Sequence, residues 1–115
     1  IKDNHVDYCG GVKQAIERFR TAYPQKPLIV EVRNLIELEQ ALGFAKSLTR
    51  IMLDNFTLQQ IEQGVKMTSG KVLLEASGGV TLENVRSIAE TGIHFISIGA
   101  LTHSAPAFDF SFQIS

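Results

Sequence analysis

Residues 72–81 read Val-Leu-Leu-Glu-Ala-Ser-Gly-Gly-Val-Thr: an apolar run, a glycine pair, and a threonine placed to cap a helix. Val85, Ile88 and Ala89 then recur at helical spacing as far as Gly92. A short apolar run, a glycine turn and a capped amphipathic segment predict strand, tight turn and helix in succession. Three other runs share the first part of this form: Leu-Ile-Val-Glu-Val at 28–32, Ile-Met-Leu-Asp at 51–54 and Phe-Ile-Ser-Ile at 95–98. Counted from Ile29, Ile51, Val72 and Phe95, the strand starts lie 22, 21 and 23 residues apart. That spacing leaves room for one helix and two loops each time, which is βα repetition. Helical stripes fill the gaps, through Val12, Ala15, Ile16 and Phe19, and through Leu35, Leu38, Ala41 and Leu42. Thr57 and Gln60 have the form of a capping box ahead of Ile61 and Val65. After the last strand, Ala-Pro-Ala at 105–107 reads as a break.

Strands joined by single crossover helices are parallel, and a parallel sheet is either doubly wound or closed into a barrel. Side-chain alternation chooses between them. Val30 and Val32, Ile51 and Leu53, Val72, Leu74 and Ala76, and Ile96 and Ile98 give every strand one apolar face. The opposite faces are mixed: Ile29, Glu31 and Arg33; Met52 and Asp54; Leu73, Glu75 and Ser77; Phe95, Ser97 and Gly99. An apolar helix-facing side and a polar interior predict a parallel (β/α) barrel, TIM-like, in the α/β class. Eight such units would need about 176 residues, and a complete barrel uses about 250. The 115 residues present are one domain's worth at most and supply roughly half a barrel. The chain also opens at Ile1 inside what reads as an element, so the expectation is a fragment.

Composition narrows the function classes. Hydrophobic residues are 44% and charged residues 20%, with 11 Lys+Arg against 12 Asp+Glu for a formal net charge of −1. No basic excess points to nucleic acid, and no apolar window is long enough for a membrane span. One cysteine, Cys9, excludes an internal disulfide and fits a cytoplasmic setting. Cys9 has no base beside it and reads as packing against the helix that starts near Gly11, not as a nucleophile.

Ligands of parallel α/β folds gather at the carboxyl ends of strands, so those positions carry the candidate chemistry. Ser77, Gly78 and Gly79 precede a helix, and Gly99 and Ala100 repeat the arrangement after the next strand. Backbone N–H groups in such loops can cradle a phosphate, and the alternative is that the glycines only make tight βα turns. Glu31 and Asp54 project from neighbouring strands to the same side, fit either to hold Mg²⁺ and stabilise a developing cation or to form an ion pair with Lys2 or Arg33. Lys2 is an anion contact in the first reading and a solvated terminal charge in the second. His5 and His103 fall in ligand-facing loops, where a local loop hydrogen bond is the alternative role. His94 reads as an exposed loop residue, and the three histidines show no metal-ligand spacing.

The motifs I-K-D-N-H, V-E-V-R-N-L, I-M-L-D-N, L-E-A-S-G-G-V and I-S-I-G-A-L-T-H-S, in that order, resemble the carboxyl-terminal part of the quinolinate phosphoribosyltransferases, from Ile1 to the closing D-F-S-F-Q-I. The resemblance implies that residues 1–115 are the C-terminal part of that family's barrel domain, without its N-terminal domain and early strands. It implies transfer of a phosphoribosyl group from phosphoribosyl pyrophosphate to quinolinate with decarboxylation, giving nicotinate mononucleotide, CO2 and pyrophosphate in NAD biosynthesis. Position by position, Lys2 matches the lysine that contacts anionic substrates. Glu31 matches the second glutamate of an E-V-E pattern, and Asp54 the aspartate of M-L-D-N, near the ribose and its Mg²⁺-linked pyrophosphate. Ser77, Gly78 and Gly79, with Ile98, Gly99 and Ala100, match the two loops that hold the 5′-phosphate. The chain departs from the pattern at Ile29, where the family often has the first glutamate. It also lacks the arginines and histidine that clamp quinolinate. Family members are dimers in which one subunit completes the other's site, so a homodimer or higher assembly is expected, and this segment is not expected to catalyse alone. Two other readings compete: a paralogue acting on a different acceptor, such as the molybdenum-transport-associated protein, and a non-catalytic phosphate-binding module.

Overall fold

Strand alternation, read against the sheet register, accounts for the layers of the molecule. The computed structural model describes residues 10–98 and the backbone of residues 110–113. Its elements run α1 (Val12–Ala22), β1 (Ile29–Val32), α2 (Leu35–Leu42), a 3₁₀ turn (Ala45–Ser47), β2 (Arg50–Asp54), α3 (Leu58–Thr68), β3 (Leu73–Ser77), α4 (Val85–Ala89), β4 (Phe95–Ile98) and β5 (Phe110–Gln113). The sheet order is β1-β2-β3-β4-β5. The first four strands are parallel, in the register Val30 to Ile51, Ile51 to Leu74 and Ala76 to Ile96. The expected α/β architecture and all four expected strands are therefore present, with three of the four shifted at one or both ends by a single residue.

β5 is an addition. It runs antiparallel to β4, pairing Ile98 with Phe110 and Ser97 with Ser111. A closed eight-stranded barrel would give that edge of β4 to a parallel neighbour, and here β5 occupies it.

The apolar face is the core. Val30, Val32, Ile51, Leu53, Leu74, Ala76, Ile96 and Ile98 are all buried, beneath Val12, Ala15 and Ile16 of α1, Leu38 and Ala41 of α2, Ile61 of α3 and Ile88 of α4. Gly64 lets α2 and α3 come together, since a Cβ there would lie 3.1 Å from Leu38 Cδ2. The capping box at Thr57 forms in both directions, Gln60 N–H to Thr57 Oγ1 at 3.2 Å and Thr57 N–H to Gln60 Oε1 at 2.9 Å. α2 starts on Asn34, whose side chain accepts from Glu37 N–H at 2.9 Å. The loop from α1 to β1 is fastened by Arg20, whose guanidinium donates to the carbonyls of Lys26, at 2.7 Å, and of Ser47.

His94 departs from the exposed loop position expected of it. It is half-buried, its Nδ1 accepts from Leu74 N–H at 3.1 Å, and its own N–H donates to the Leu74 carbonyl at 3.1 Å. The imidazole thus extends the β3–β4 ladder by one rung, which requires the tautomer with the proton on Nε2.

On the interior face, in-register residues form rows: Ile29, Arg50 and Leu73; then Glu31, Met52, Glu75 and Phe95; then Asp54, Ser77 and Ser97. The deepest charge is Glu75, whose side chain is 3% exposed and whose Oε1 lies 2.5 Å from Arg50 Nη1. The Arg50 guanidinium also lies over the Phe95 ring, 3.7 Å from its centre. Removing one partner of a buried pair strands the other charge, whereas replacing both by apolar groups of similar volume is close to neutral. Glu75→Ala is expected to lower the unfolding free energy by about 3 kcal/mol, the low end for a buried pair, because Arg50 keeps 23% of its side chain exposed. The double variant Arg50→Met with Glu75→Leu should recover most of that loss in urea unfolding, and failure to recover would show that the pair contributes more than mutual neutralisation.

Candidate functional site

Three strand ends converge at the carboxyl end of the sheet, and their sequences explain how. Asp54 closes β2 in register with Ser77 at the end of β3, and Ser77 faces Ser97 on β4. Glu31 is in register with Met52, so it stands on the interior face one pleat below Asp54 on the adjoining strand. Glu31 and Asp54 are both half-buried. The structure thus places the two predicted carboxylates on one side of the sheet, beside Ser77. Ser97 joins the same row and is 7% exposed; the sequence put it on the mixed face without marking it as a site residue.

The two loops above this row are interlocked. After Asp54 the chain turns through Asn55, which has φ 56, a left-handed conformation that Asn tolerates better than most residues. Asn55 N–H donates to the Ser77 carbonyl at 2.7 Å, extending the β2–β3 ladder into the turn. Gly78 and Gly79 come next to it with φ 79 and 69. A Cβ on Gly78 would lie 3.2 Å from Asp54 Oδ1 and from Asn55 N, and one on Gly79 would lie 3.1 Å from Asn55 Oδ1. Glycine therefore suits these positions for two reasons, the left-handed backbone and the crowding that a Cβ would meet from the Asp54 turn. Both glycines are exposed, and the N–H groups of Gly79 and Val80 have no partner among the described residues. A cleft of ≈350 Å³ lies between the loops, lined by Asn55, Thr57, Gly78, Gly79 and Asn84 among others. A larger concavity of ≈560 Å³, lined by Leu42, Phe44, Lys46 and Lys71 among others, sits at the amino ends of β2 and β3. It touches none of the candidate residues and lies at the end of the sheet where parallel α/β proteins do not place their chemistry.

The remaining candidates divide clearly. Ile98 is 5% exposed with its side chain in the core, so any ligand contact from it is through the backbone. Arg33, the alternative partner of Glu31, places its guanidinium on Glu37, with Nη2 to Oε2 at 2.7 Å, while Glu37 Oε1 accepts from Arg33 N–H at 2.7 Å. Lys2, His5, Cys9, Gly99, Ala100 and His103 lie outside the described residues. Among the described residues no group of three or more His, Cys, Asp or Glu is gathered as a metal cage. No helix among them is long and apolar enough to cross a membrane.

A parallel α/β sheet with helices on one face, two carboxylates on the other and a glycine loop at the carboxyl strand ends has the layout of a (β/α) barrel segment. Residues 1–113 match the family described as quinolinate phosphoribosyl transferase, C-terminal domain, and the chain belongs to that family. A quinolinate phosphoribosyltransferase [decarboxylating] 1b of Nicotiana tabacum is 40% identical over 131 aligned residues, covering 99% of this chain and 37% of the relative. A nicotinate-nucleotide pyrophosphorylase [carboxylating] of Mycobacterium leprae is 40% identical over 117 aligned residues, covering 99% and 40%. The crystal structure of the nicotinate-nucleotide pyrophosphorylase from Ehrlichia chaffeensis superposes with a TM-score of 0.84 at 36% identity, over 97% of this chain and 41% of that one. The chain thus spans about two fifths of the length of the relatives it matches.

The close approach of Gly78 to the Asp54 turn is directly testable. Gly78→Ala should lower the unfolding free energy by about 1–2 kcal/mol through the left-handed backbone, and should also shift the amide resonances of Asp54 and Asn55. Gly70 has φ 78 with nothing within 4 Å of its Cβ position. Gly70→Ala should therefore show comparable strain without that shift, and equal shifts in both variants would contradict the interlock.

Proposed function

We propose that this chain forms the C-terminal barrel segment of an enzyme that transfers a phosphoribosyl group from phosphoribosyl pyrophosphate to quinolinate, releasing pyrophosphate and then CO2 to leave nicotinate mononucleotide. The observation that carries the reading is the row of Asp54 and Ser77, with Glu31 one pleat below, directly beneath the Gly78–Gly79 loop, in a chain of this family.

The chemistry asks for what these residues offer. The bond from ribose C1′ to the pyrophosphate oxygen breaks while C1′ bonds to the pyridine nitrogen, and positive charge develops on the ribose. Carboxylates fixed nearby stabilise that charge without reorganising. Asp54 and Glu31 take this role. The backbone N–H groups of the glycine loop, with Gly99 and Ala100, hold the 5′-phosphate and so fix the ribose against the carboxylates. Lys2 takes up charge on the departing pyrophosphate. Decarboxylation then draws the electron pair of the breaking C–C bond into the new pyridinium ring, and a proton replaces CO2 on that carbon. No protein base is required for this step.

Mg²⁺ belongs with phosphoribosyl pyrophosphate in this scheme. Two carboxylates on one face, with no larger protein cage among the described residues, fit an ion that takes most of its ligands from substrate and water. Glu31 and Asp54 are the residues that would hold it, directly or through water. A homodimer or higher assembly and a cytoplasmic setting complete the proposal, the latter supported by a single cysteine in 115 residues.

The test is CO2 release from carboxyl-labelled quinolinate by a full-length polypeptide carrying this segment. Release should depend on both phosphoribosyl pyrophosphate and Mg²⁺. Asp54→Ala should lower kcat by about 10²–10³, the usual cost of removing one preorganised electrostatic group. Normal turnover by that variant would remove Asp54 from the mechanism, and turnover with a different acceptor but not with quinolinate would reassign the substrate.

A further inference from the structure

The glycine loop is held by one side chain that belongs to none of the sequence motifs. Asn84 Oδ1 accepts from Thr81 N–H at 2.8 Å, its Nδ2 donates to the Gly79 carbonyl at 2.9 Å, and its own backbone N–H donates to Thr81 Oγ1 at 3.3 Å. The amide orientation is set by the partners, since Thr81 N–H requires an acceptor and the Gly79 carbonyl a donor. Asn84 is half-buried, behind a loop whose glycines are exposed.

These bonds act on an anion site through peptide geometry. The peptide joining Gly79 to Val80 is planar and trans, so its carbonyl and its N–H point in opposite directions. Fixing the Gly79 carbonyl on Asn84 therefore fixes Val80 N–H on the side away from the Asn84 amide. It also occupies the one oxygen at this peptide that would repel a phosphate. The Thr81 N–H is consumed in the same clamp, which leaves Gly79 and Val80 as consecutive N–H donors with no partner among the described residues. From the other side the loop is limited by Asn55, whose Oδ1 would crowd a Cβ on Gly79 at 3.1 Å. Two asparagines thus bracket the loop, Asn55 by contact and Asn84 by hydrogen bonds.

We infer that Asn84 is a positioning residue for phosphate binding: by holding the Gly79 carbonyl it presents the Val80 and Gly79 N–H groups to the phosphate of phosphoribosyl pyrophosphate. This rests on the proposed reading of the loop as the 5′-phosphate site, and it adds the residue on which the loop's affinity for that group depends. Asn84 acts through the backbone and touches no reacting atom.

Two substitutions in the full-length enzyme separate its roles. Asn84→Ala removes both side-chain bonds. Asn84→Asp keeps the acceptor for Thr81 N–H, and with it the local turn, but cannot donate to the Gly79 carbonyl. Both should raise KM for phosphoribosyl pyrophosphate about tenfold, the scale of one misaligned charge-assisted donor, with kcat changed less than about threefold and KM for quinolinate unchanged. The rise in Asn84→Asp should persist at high salt, where simple charge repulsion is screened. Inorganic phosphate titrated into the same proteins gives a readout independent of turnover and should bind about tenfold more weakly to both variants. Unchanged phosphate affinity in Asn84→Ala, or an Asn84→Asp variant that behaves as wild type, would overturn the inference. So would a parallel rise in both KM values with a lowered melting temperature, which is the mark of a merely structural role. Absence of CO2 release from the unsubstituted enzyme, with phosphate binding still dependent on Asn84, would instead defeat the proposed reaction and leave the clamp standing.

Discussion

Everything in this structure depends on the period-two alternation of four strands being held in one parallel register. A shift of one residue in any strand would send its valines and isoleucines into the interior and its charges under the helices. With the register as found, Val30, Ile51, Leu74 and Ile96 meet the helices while Glu31, Asp54, Glu75 and Ser77 line the other side. Core and candidate site are therefore two faces of one constraint, and the pairing of Asp54 with Ser77 results from it as directly as the burial of Leu53 does.

Polar groups on the interior face are handled in two ways along the strands. Below the Asp54–Ser77 row, Arg50 and Glu75 form an ion pair, with the Arg50 guanidinium over the Phe95 ring. Toward the carboxyl ends the polar groups lie next to loops whose backbone is unusual, at Asn55, Gly78 and Gly79. Unusual backbone is tolerated where surrounding contacts over-determine it, and the Asp54 turn and the glycine loop determine each other.

Much of the fold was legible because it obeys local rules. The four parallel strands, the stripes of α1 and α2 and the Thr57–Gln60 box come from alternation, helical periodicity and capping chemistry, each confined to a short window. Thr81 was legible as a cap, and it does bond Asn84 reciprocally, although the regular helix begins only at Val85. What escaped depends on register or on distant partners. Arg50 and Glu75 are 25 positions apart, and only the β2–β3 pairing shows that they meet. His94 became part of the ladder because a ring nitrogen stands where a carbonyl would. β5 escaped for another reason: the Phe-Ser-Phe-Gln alternation at 110–113 is strand-like, but an antiparallel return does not keep the βα spacing that revealed the others. Of the site, Asp54, Glu31, Ser77, Gly78 and Gly79 could be named from position alone. Asn84 could not, because its importance lies in which peptide plane it holds.

The strand order has a kinetic consequence. Among the described strands each lies beside its neighbours in sequence, β1-β2-β3-β4-β5, so each of these pairings joins strands that are consecutive in the chain. Pairings separated by a single βα unit incur a small loop-closure cost compared with a sheet that closes on its first strand. Chain growth from the ribosome can then add one unit at a time to an existing edge. The glycine loop after β3 and the Asp54 turn after β2 lie on successive units, so their interlock needs the β2–β3 pairing alone and does not depend on β4.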